Sequence, residues 1–403
     1  MKTMKVALLA TAALAAVSVS ARADDTAAIK AQLEALTARM AQLEAAPAVP
    51  VGYSLLTITE GSATVVPGLD SNSHNDRALG DEATIVGIMP TADAPAQTTL
   101  EWNGFVRAVV AHTDYGYDGG DKETNINARA FLRVTGKTDT AVGEVGARMS
   151  FEANASTVDA DDAWQATEYW GWWAMTPEVT FGGGYSGSLG NVGHGFDGSC
   201  DPCAGIDWFS AEQRDEDNVT FSANPGDAPQ VRLTYASGPL NFAVALEDSD
   251  YDSGFGDMGL AGRIGYAGDT FSAQLAGIVY EHDSVSSDNG WQVAAGLGFA
   301  LGDMATISVS AATGDEPFKG DYWNASGYLG FNLADNISAQ FGASYADYDD
   351  LNTEITEFDV GLYYNPVDQL TIGVEAAWAD GLADFYEFDD NMTTFDVVAI
   401  WRF

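Results

Sequence analysis

Apolar and polar residues alternate along most of the chain from Leu100 to Phe403, in segments of about ten residues. The clearest example is TEFDVGLYYNPVDQLTIGVEAAWAD, which begins at Thr356. One face of this segment is apolar, and the other carries Asp359, Gly361, Thr371, Gly373 and Glu375. Alternation with a period of two is typical of β-strands that have one apolar face.

Tight turns and longer acidic connections separate these segments in strict alternation, for example NPVD and DSDYDSGFGD. The pattern predicts sixteen strands, which begin near residues 100, 126, 140, 164, 178, 230, 240, 260, 271, 291, 304, 324, 337, 355, 370 and 394. We assign the segment NVTFSANP near residue 220 to a long loop or to an extended sixth strand, because an added strand would make the number odd. Tight turns are predicted at Gly136–Asp139 and at six later positions.

Such strands can cross a lipid bilayer when they close into a barrel, since closure pairs every backbone group and leaves no edge in lipid. The last strand ends on TFDVVAIWRF, with Trp401 and Phe403 on its apolar face, and aromatic residues near strand ends suit the membrane interfaces. The predicted fold class is therefore an all-β transmembrane protein, a 16-stranded antiparallel outer-membrane β-barrel at residues 100–403, preceded by a short α-helical coiled coil. A soluble β-sandwich is the alternative, because its strands alternate too.

The first residues predict export. Residues 1–23 have the basic residues Lys2 and Lys5, an apolar run that is too short to span a bilayer, and a small-residue cleavage site that ends at Ala23. This is the pattern of a secretory signal peptide that is cleaved after Ala23. We expect the mature protein in the outer membrane of a bacterial cell.

A helix is predicted directly after the signal peptide. Prolines follow residues 24–46 and close the segment. Within it, apolar side chains recur at heptad spacing: Ile29, Leu33, Leu36, Met40 and Leu43. The interpretation is a periplasmic coiled coil, and the alternative is one amphipathic helix that lies on a domain. Residues 47–99 are predicted to be a linker or a small irregular β segment.

The formal net charge of −42 excludes nucleic acid as a partner. Acidic clusters in the external loops are candidate ligands for a structural Ca²⁺, although no EF-hand spacing is present: Asp159, Asp161 and Asp162, and Asp347, Asp349 and Asp350. Otherwise no cofactor is expected. The chain has four histidines and neither a GxSxG nor an HExxH motif, so we expect no enzymatic activity.

The two cysteines, Cys200 and Cys203, lie in SCDPCAG. Export to an oxidising compartment favours a small local disulfide between them. The alternative is a metal site with His194, which has too few ligands at recognised spacing.

Alternation also predicts which charges face the lumen. It turns four arginines of the first three strands inward, Arg107, Arg129, Arg133 and Arg148, together with Glu101, Glu144 and Glu152, and it does the same for Arg232 and Arg263. An arginine on the lipid face would cost about 2–4 kcal/mol, so stability alone favours inward placement. That cost does not explain why four arginines cluster on adjacent strands.

The chain resembles the general porins of the bacterial outer membrane, closest to the alphaproteobacterial type, over residues 100–403. The likeness lies in the terminal AIWRF, the opening strand LEWNGFVRAVVAH and the long insertion after strand 5, GYSGSLGNVGHGFDGSCDPCAGIDWFSAEQRDED. It implies a homotrimer in outer-membrane lipid and lipopolysaccharide, with Phe403 read by the barrel assembly machinery. It also implies that the inserted loop, residues 186–217, folds into the pore as a constriction.

In that arrangement the loop acids would face the arginine wall: Asp197, Asp201, Asp207, Glu212, Asp215, Glu216 and Asp217. Opposed basic and acidic walls create a transverse field, and the excess of acids predicts mild cation selectivity. The predicted function is passive diffusion of small hydrophilic solutes and ions through a water-filled channel. A coiled coil ahead of a barrel also resembles certain trimeric solute-specific porins, which is one alternative. A barrel-anchored tether between outer membrane and cell wall is another.

Overall fold

The computed structural model describes residues 56–66, 69, 78–80, 82–88, 98–114, 122–155, 164–192, 227–248, 258–280, 290–316, 320–349, 352–381 and 391–403. The predicted signal peptide, the coiled-coil helix, the segment NVTFSANP and the cysteines lie outside these residues. Within the described ranges, no helix has the length and apolar content needed to cross a membrane.

Eighteen strands account for most of the described residues. They are β1 Leu56–Ser62, β2 Glu82–Ile88, β3 Thr98–Asp114, β4 Lys122–Thr140, β5 Gly143–Ala155, β6 Gln165–Ala174, β7 Val179–Gly187, β8 Asp227–Ser237, β9 Leu240–Asp248, β10 Met258–Ala267, β11 Phe271–Tyr280, β12 Gly290–Leu301, β13 Ala305–Glu316, β14 Gly320–Ala334, β15 Ile337–Tyr348, β16 Thr353–Val367, β17 Leu370–Asp380 and β18 Asn391–Arg402.

The sixteen strands β3–β18 form a closed antiparallel barrel in which each strand pairs with its neighbours in sequence. Closure comes from β18, which pairs with β3 in a register that places Val398 opposite Val109. Phe403 completes this seam, because its N–H donates to the Gly104 carbonyl and its carbonyl accepts from the Gly104 N–H, both at 3.0 Å. The predicted strand number and the closed barrel are confirmed, and each predicted start lies within four residues of the observed one.

The period-two alternation sorts side chains between lipid and lumen as expected. On β16, Phe358 and Val360 are exposed on the outside, while Glu357 and Asp359 are buried on the inside. On β18, Trp401 and Phe403 likewise face outward. The outer surface is therefore apolar over the height of the barrel, as a bilayer requires.

The turn predicted at Gly136–Asp139 is wrong. β4 continues through these residues to Thr140, and the turn is formed by Ala141 and Val142. The Thr140 hydroxyl donates to the Gly143 carbonyl at 2.6 Å and accepts from the Val142 N–H at 3.2 Å. Lys137 resembles a turn residue in the sequence, but it continues the strand. Its Nζ forms an ion pair with Glu144 Oε2 on β5 at 3.7 Å.

The region predicted as a linker or a small irregular β segment, residues 47–99, contains the two short strands β1 and β2. β1 and β2 pair with each other, and the Thr57 hydroxyl donates to the Gly87 carbonyl at 3.4 Å. Residues 57–87 belong to the same compact unit as residues 98–403. Within this region, Thr64, Val66 and Leu69 contact the inner wall of the barrel.

We predict that Gly104→Ala destabilises the barrel at its closing seam. A Cβ on Gly104 would lie 2.5 Å from the Phe131 carbonyl oxygen and 2.6 Å from Cζ of Phe403. Since the obstacles are the backbone of β4 and the Phe403 ring at the seam, the strands around Gly104 must shift, at a cost of about 1–3 kcal/mol. The check is the temperature at which the folded barrel converts to the unfolded form on a denaturing gel.

The matched control is Gly136→Ala on the neighbouring strand, where the added Cβ meets no atom closer than 3.7 Å. This variant should unfold at the wild-type temperature. If both variants unfold at the same temperature, the close contacts of Gly104 do not contribute to the stability of the barrel.

Candidate functional site: the lumen

A basic sector occupies the lumen side of β3, β4 and β5. It consists of Arg107, Arg129, Arg133 and Arg148, and each of these residues is less than 10% exposed. Arg107 and Arg129 are direct partners in the β3–β4 register. The structure thus places all four on the side that alternation predicts.

Neighbouring side chains hold these guanidinium groups in place. Arg129 Nε donates to Asn154 Oδ1 at 2.7 Å, and Arg133 Nε donates to Ser150 Oγ at 3.0 Å. Arg133 also forms an ion pair with buried Glu168 at 3.7 Å. Because a planar guanidinium fixed in this way cannot turn away from the lumen, the sector presents a stationary positive charge.

An acidic sector lies on β16, β17 and β18, and its residues are Glu357, Asp359, Glu375 and Asp396. All four are buried on the lumen side. The Tyr363 hydroxyl donates to Glu375 Oε1 at 3.0 Å, and the Ser344 hydroxyl donates to Glu357 Oε2 at 3.3 Å. The sequence analysis did not name this sector as part of the site.

The signal for the acidic sector was present in the sequence. Alternation assigns Asp359 and Glu375 to the polar face of their strands, and the same rule applied to the last strand turns Asp396 inward. The sequence does not distinguish these carboxylates, because acidic residues are abundant in this chain, whereas arginines are few.

The two sectors are neighbours around the barrel because β18 closes on β3. Asp396 is the register partner of Glu375 on β17, and its own strand, β18, pairs with β3, which carries Arg107. Opposite charges on adjacent sectors of a low-dielectric wall create a field across the lumen rather than along it. The wall of the barrel carries this field without any contribution from the loop acids.

The described start of the long insertion, Gly187–Val192, lies inside the barrel near the ends of strands that lead into the long loops. Glu247 on β9 accepts the Ser188 hydroxyl at 2.6 Å and the Leu189 N–H at 2.8 Å. Arg232 Nη2 donates to the Gly187 carbonyl at 2.9 Å. Gln292 on β12 donates to the Gly190 carbonyl at 2.9 Å.

Apolar contacts complete this attachment. Leu189 is fully buried and packs with Ala245, Ala261, Ile278 and Tyr280 of β9–β11. Arg232 also stacks over the Trp170 ring at 5.1 Å. Arg232, predicted only to face inward, therefore holds the beginning of the insertion.

The remaining predicted site residues lie outside the described residues. These are the loop acids Asp197, Asp201, Asp207, Glu212, Asp215, Glu216 and Asp217, the cysteines Cys200 and Cys203, and His194. Among the described residues, no group of three or more acidic, histidine or cysteine side chains could hold a metal ion.

We predict that Glu247→Ala destabilises the protein by releasing the start of the insertion. The Leu189 N–H and the Ser188 hydroxyl are buried and would both lose their acceptor, and each buried group left unsatisfied costs about 1–3 kcal/mol. Urea-induced unfolding in liposomes should therefore show a free energy of unfolding lower by at least about 2 kcal/mol.

The matched control is Asp248→Ala, which removes the next carboxylate along the same strand, at an exposed position. Its free energy of unfolding should stay within about 0.5 kcal/mol of wild type. A loss of equal size in both variants would mean that strand β9 itself, and not the attached insertion, accounts for the effect.

No protein-family model matches the chain, and a comparison with curated proteins finds no significant match. Solved structures do match. The outer membrane channel DcaP of Acinetobacter baumannii superposes with a TM-score of 0.54 at 20% identity, over 76% of this chain and 97% of the other. An engineered variant of the Rh. blastica porin superposes with a TM-score of 0.50 at 18% identity, over 75% of this chain and 100% of the other.

These similarities concern the fold, and they agree with the strand order and closure described above. The chain therefore has a porin-type fold, a closed antiparallel barrel of sixteen strands.

Proposed function

We propose that the protein forms a water-filled channel in the bacterial outer membrane, through which small hydrophilic solutes and ions diffuse passively. One observation carries the proposal: the inner wall holds two fixed sectors of opposite charge, while the outer wall is apolar. Eight buried ionisable side chains on one half of a wall are costly for a barrel that serves only as an anchor.

The two solved structures with the same fold support this proposal, because both are membrane channels. One is a porin and the other is an outer membrane channel. Both share the fold of this chain, although fold alone does not fix function. The polar lumen supplies the chemical reason for extending the channel function to this protein.

The charged sectors suggest how solutes would be sorted. A field across the lumen orients dipolar solutes and separates cations from anions along the wall. The strongly acidic chain would concentrate cations at the mouth, although salt screens this effect beyond about 10 Å at 0.1 M. The proposed balance is mild cation selectivity that increases as salt is lowered.

The proposed assembly is a homotrimer embedded in outer-membrane lipid and lipopolysaccharide, after cleavage of the signal peptide behind Ala23. Assembly machinery would read the terminal Phe403, and residues 24–46 would associate as a short periplasmic coiled coil. We further propose a disulfide between Cys200 and Cys203, and binding of a structural Ca²⁺ by carboxylates of the acidic external loops.

Planar-bilayer recording of the purified full-length protein tests the channel function. The proposal requires large, stepwise and mostly open conductance, and a silent barrel would support the tether between outer membrane and cell wall instead. If one class of solute reduces the ion current in a concentration-dependent way that saturates, the protein is a solute-specific porin. The reversal potential in a salt gradient gives the ion selectivity.

We predict that replacing Arg107, Arg129 and Arg133 together by Ala makes the channel more cation-selective and raises its conductance. The change removes positive charge and side-chain volume from the same sector. Fixed charges at a narrow point act strongly on a passing ion, because little water separates them. The measurements are the reversal potential and the single-channel conductance.

The reciprocal variant, Glu375→Gln with Asp396→Asn, keeps side-chain volume and should shift the reversal potential in the opposite direction. Wild-type values in both variants would show that neither sector lines the permeation path.

A further inference from the structure

Ahead of the barrel, the chain makes a fixed contact with the lumen wall at Thr64. The Thr64 N–H donates to Glu101 Oε1 at 2.8 Å, and its hydroxyl donates to Glu101 Oε2 at 2.7 Å. The Thr64 carbonyl accepts a hydrogen bond from Arg148 Nη2. Three polar groups of one residue are thus satisfied by two wall residues, on β3 and β5.

Apolar packing continues this contact. Val66 and Leu69 are buried, and they cluster with Trp170 and Trp172 on the lumen face of β6. The exposed fraction is 1% for Val66 and 85% for Val65, its neighbour in the chain. One side of this short stretch therefore packs on the wall, and the other side faces open space.

A second contact lies on β18 and β3. The Ala78 carbonyl accepts from Arg402 Nε at 2.6 Å. Ala78 and Leu79 are buried in a cluster that includes Phe105 and Ile400. Gly80 follows with a positive φ of 75°, and a Cβ there would lie 3.1 Å from Arg402 Cδ, so the chain turns close to this side chain.

Three of these wall residues lie toward the end of the barrel that carries the short turns. Glu101 is near the start of β3, Trp172 is near the end of β6, and Arg402 ends β18. The start of the long insertion lies toward the opposite end, where Glu247 and Gln292 are situated. The lumen thus holds one inserted stretch near each end.

We propose that Thr64–Val66 and Leu69, together with Ala78 and Leu79, form a second constriction at the short-turn end of the channel. It narrows the path and limits the size of solutes. This inference rests on the proposed channel function.

The chemistry of the contacts favours selection by size over selection by charge. Glu101 and Arg148 direct their charges to the backbone and hydroxyl of Thr64, so the surface that the stretch presents is neutral. The residue that faces open space, Val65, is apolar. Neutral solutes of increasing size are therefore the appropriate probes.

The test uses the full-length variant V66N/L69N in planar bilayers and in liposomes. Placing polar amides among Trp170 and Trp172 should detach the stretch without changing the net charge. The single-channel conductance should rise about twofold, because conduction depends on the pore radius. Liposome swelling should admit neutral sugars larger than those that pass the wild type.

The matched control is V65N, which makes the same substitution at the adjacent exposed position and should leave both measurements at wild-type values. A second variant, L79N, acts at the other contact and should change both measurements in the same direction as V66N/L69N. It keeps the test informative if V66N/L69N fails to assemble.

The outcomes separate this inference from the proposed function. If the wild type and the variants conduct equally and admit sugars of the same size, the proposed second constriction is wrong and the channel function still stands. A silent wild type with conducting variants would overturn passive diffusion through the wild type, and it would show that the stretch blocks the lumen rather than setting a size limit. Silence of every protein would overturn both ideas.

Discussion

The closing seam between β18 and β3 is the constraint on which the rest of the structure depends. In lipid, each unpaired backbone group costs several kcal/mol, so a sheet that did not close would expose two unsatisfied edges. Gly104 and Phe403 complete the seam by exchanging two hydrogen bonds. The absence of a side chain at Gly104 makes room for the Phe403 ring on the outer surface.

Closure also creates the electrostatic character of the lumen. Arg107 and Asp396 lie almost three hundred residues apart in the chain, and their strands are neighbours only because β18 pairs with β3. The basic and acidic sectors are therefore a consequence of topology. The register matters as well, because a shift by one residue at the seam would turn the inward side chains of β18 to the opposite face.

The sequence predicted the barrel well because lipid imposes a period-two pattern on each strand separately. That pattern is local, so it located strand starts and the inward arginines without knowledge of the partners. The misplaced turn near Gly136 shows its limit, since Lys137 and Asp139 have turn-like composition but continue β4. The lumen contacts of Thr64 and Leu79 had no periodic signal at all, because they depend on wall residues that are distant in the chain.

The two stretches inside the barrel are attached by the same chemistry. Glu101 accepts one N–H and one hydroxyl from Thr64, and Glu247 accepts one hydroxyl and one N–H from Ser188 and Leu189. In each case an arginine of the wall donates to a carbonyl of the attached chain.

A buried carboxylate retains its charge best when it accepts several hydrogen bonds, and the inserted backbone provides them. The charges of the lumen therefore divide into two groups. Glu101, Arg148, Glu247 and Arg232 hold inserted chain near the two ends. The other members of the basic and acidic sectors, among them Arg107, Arg129, Glu375 and Asp396, also lie on the lumen side, near the middle of their strands. Arg129 and Glu375 are held by the wall side chains Asn154 and Tyr363, which fixes the position of these two groups in the lumen field.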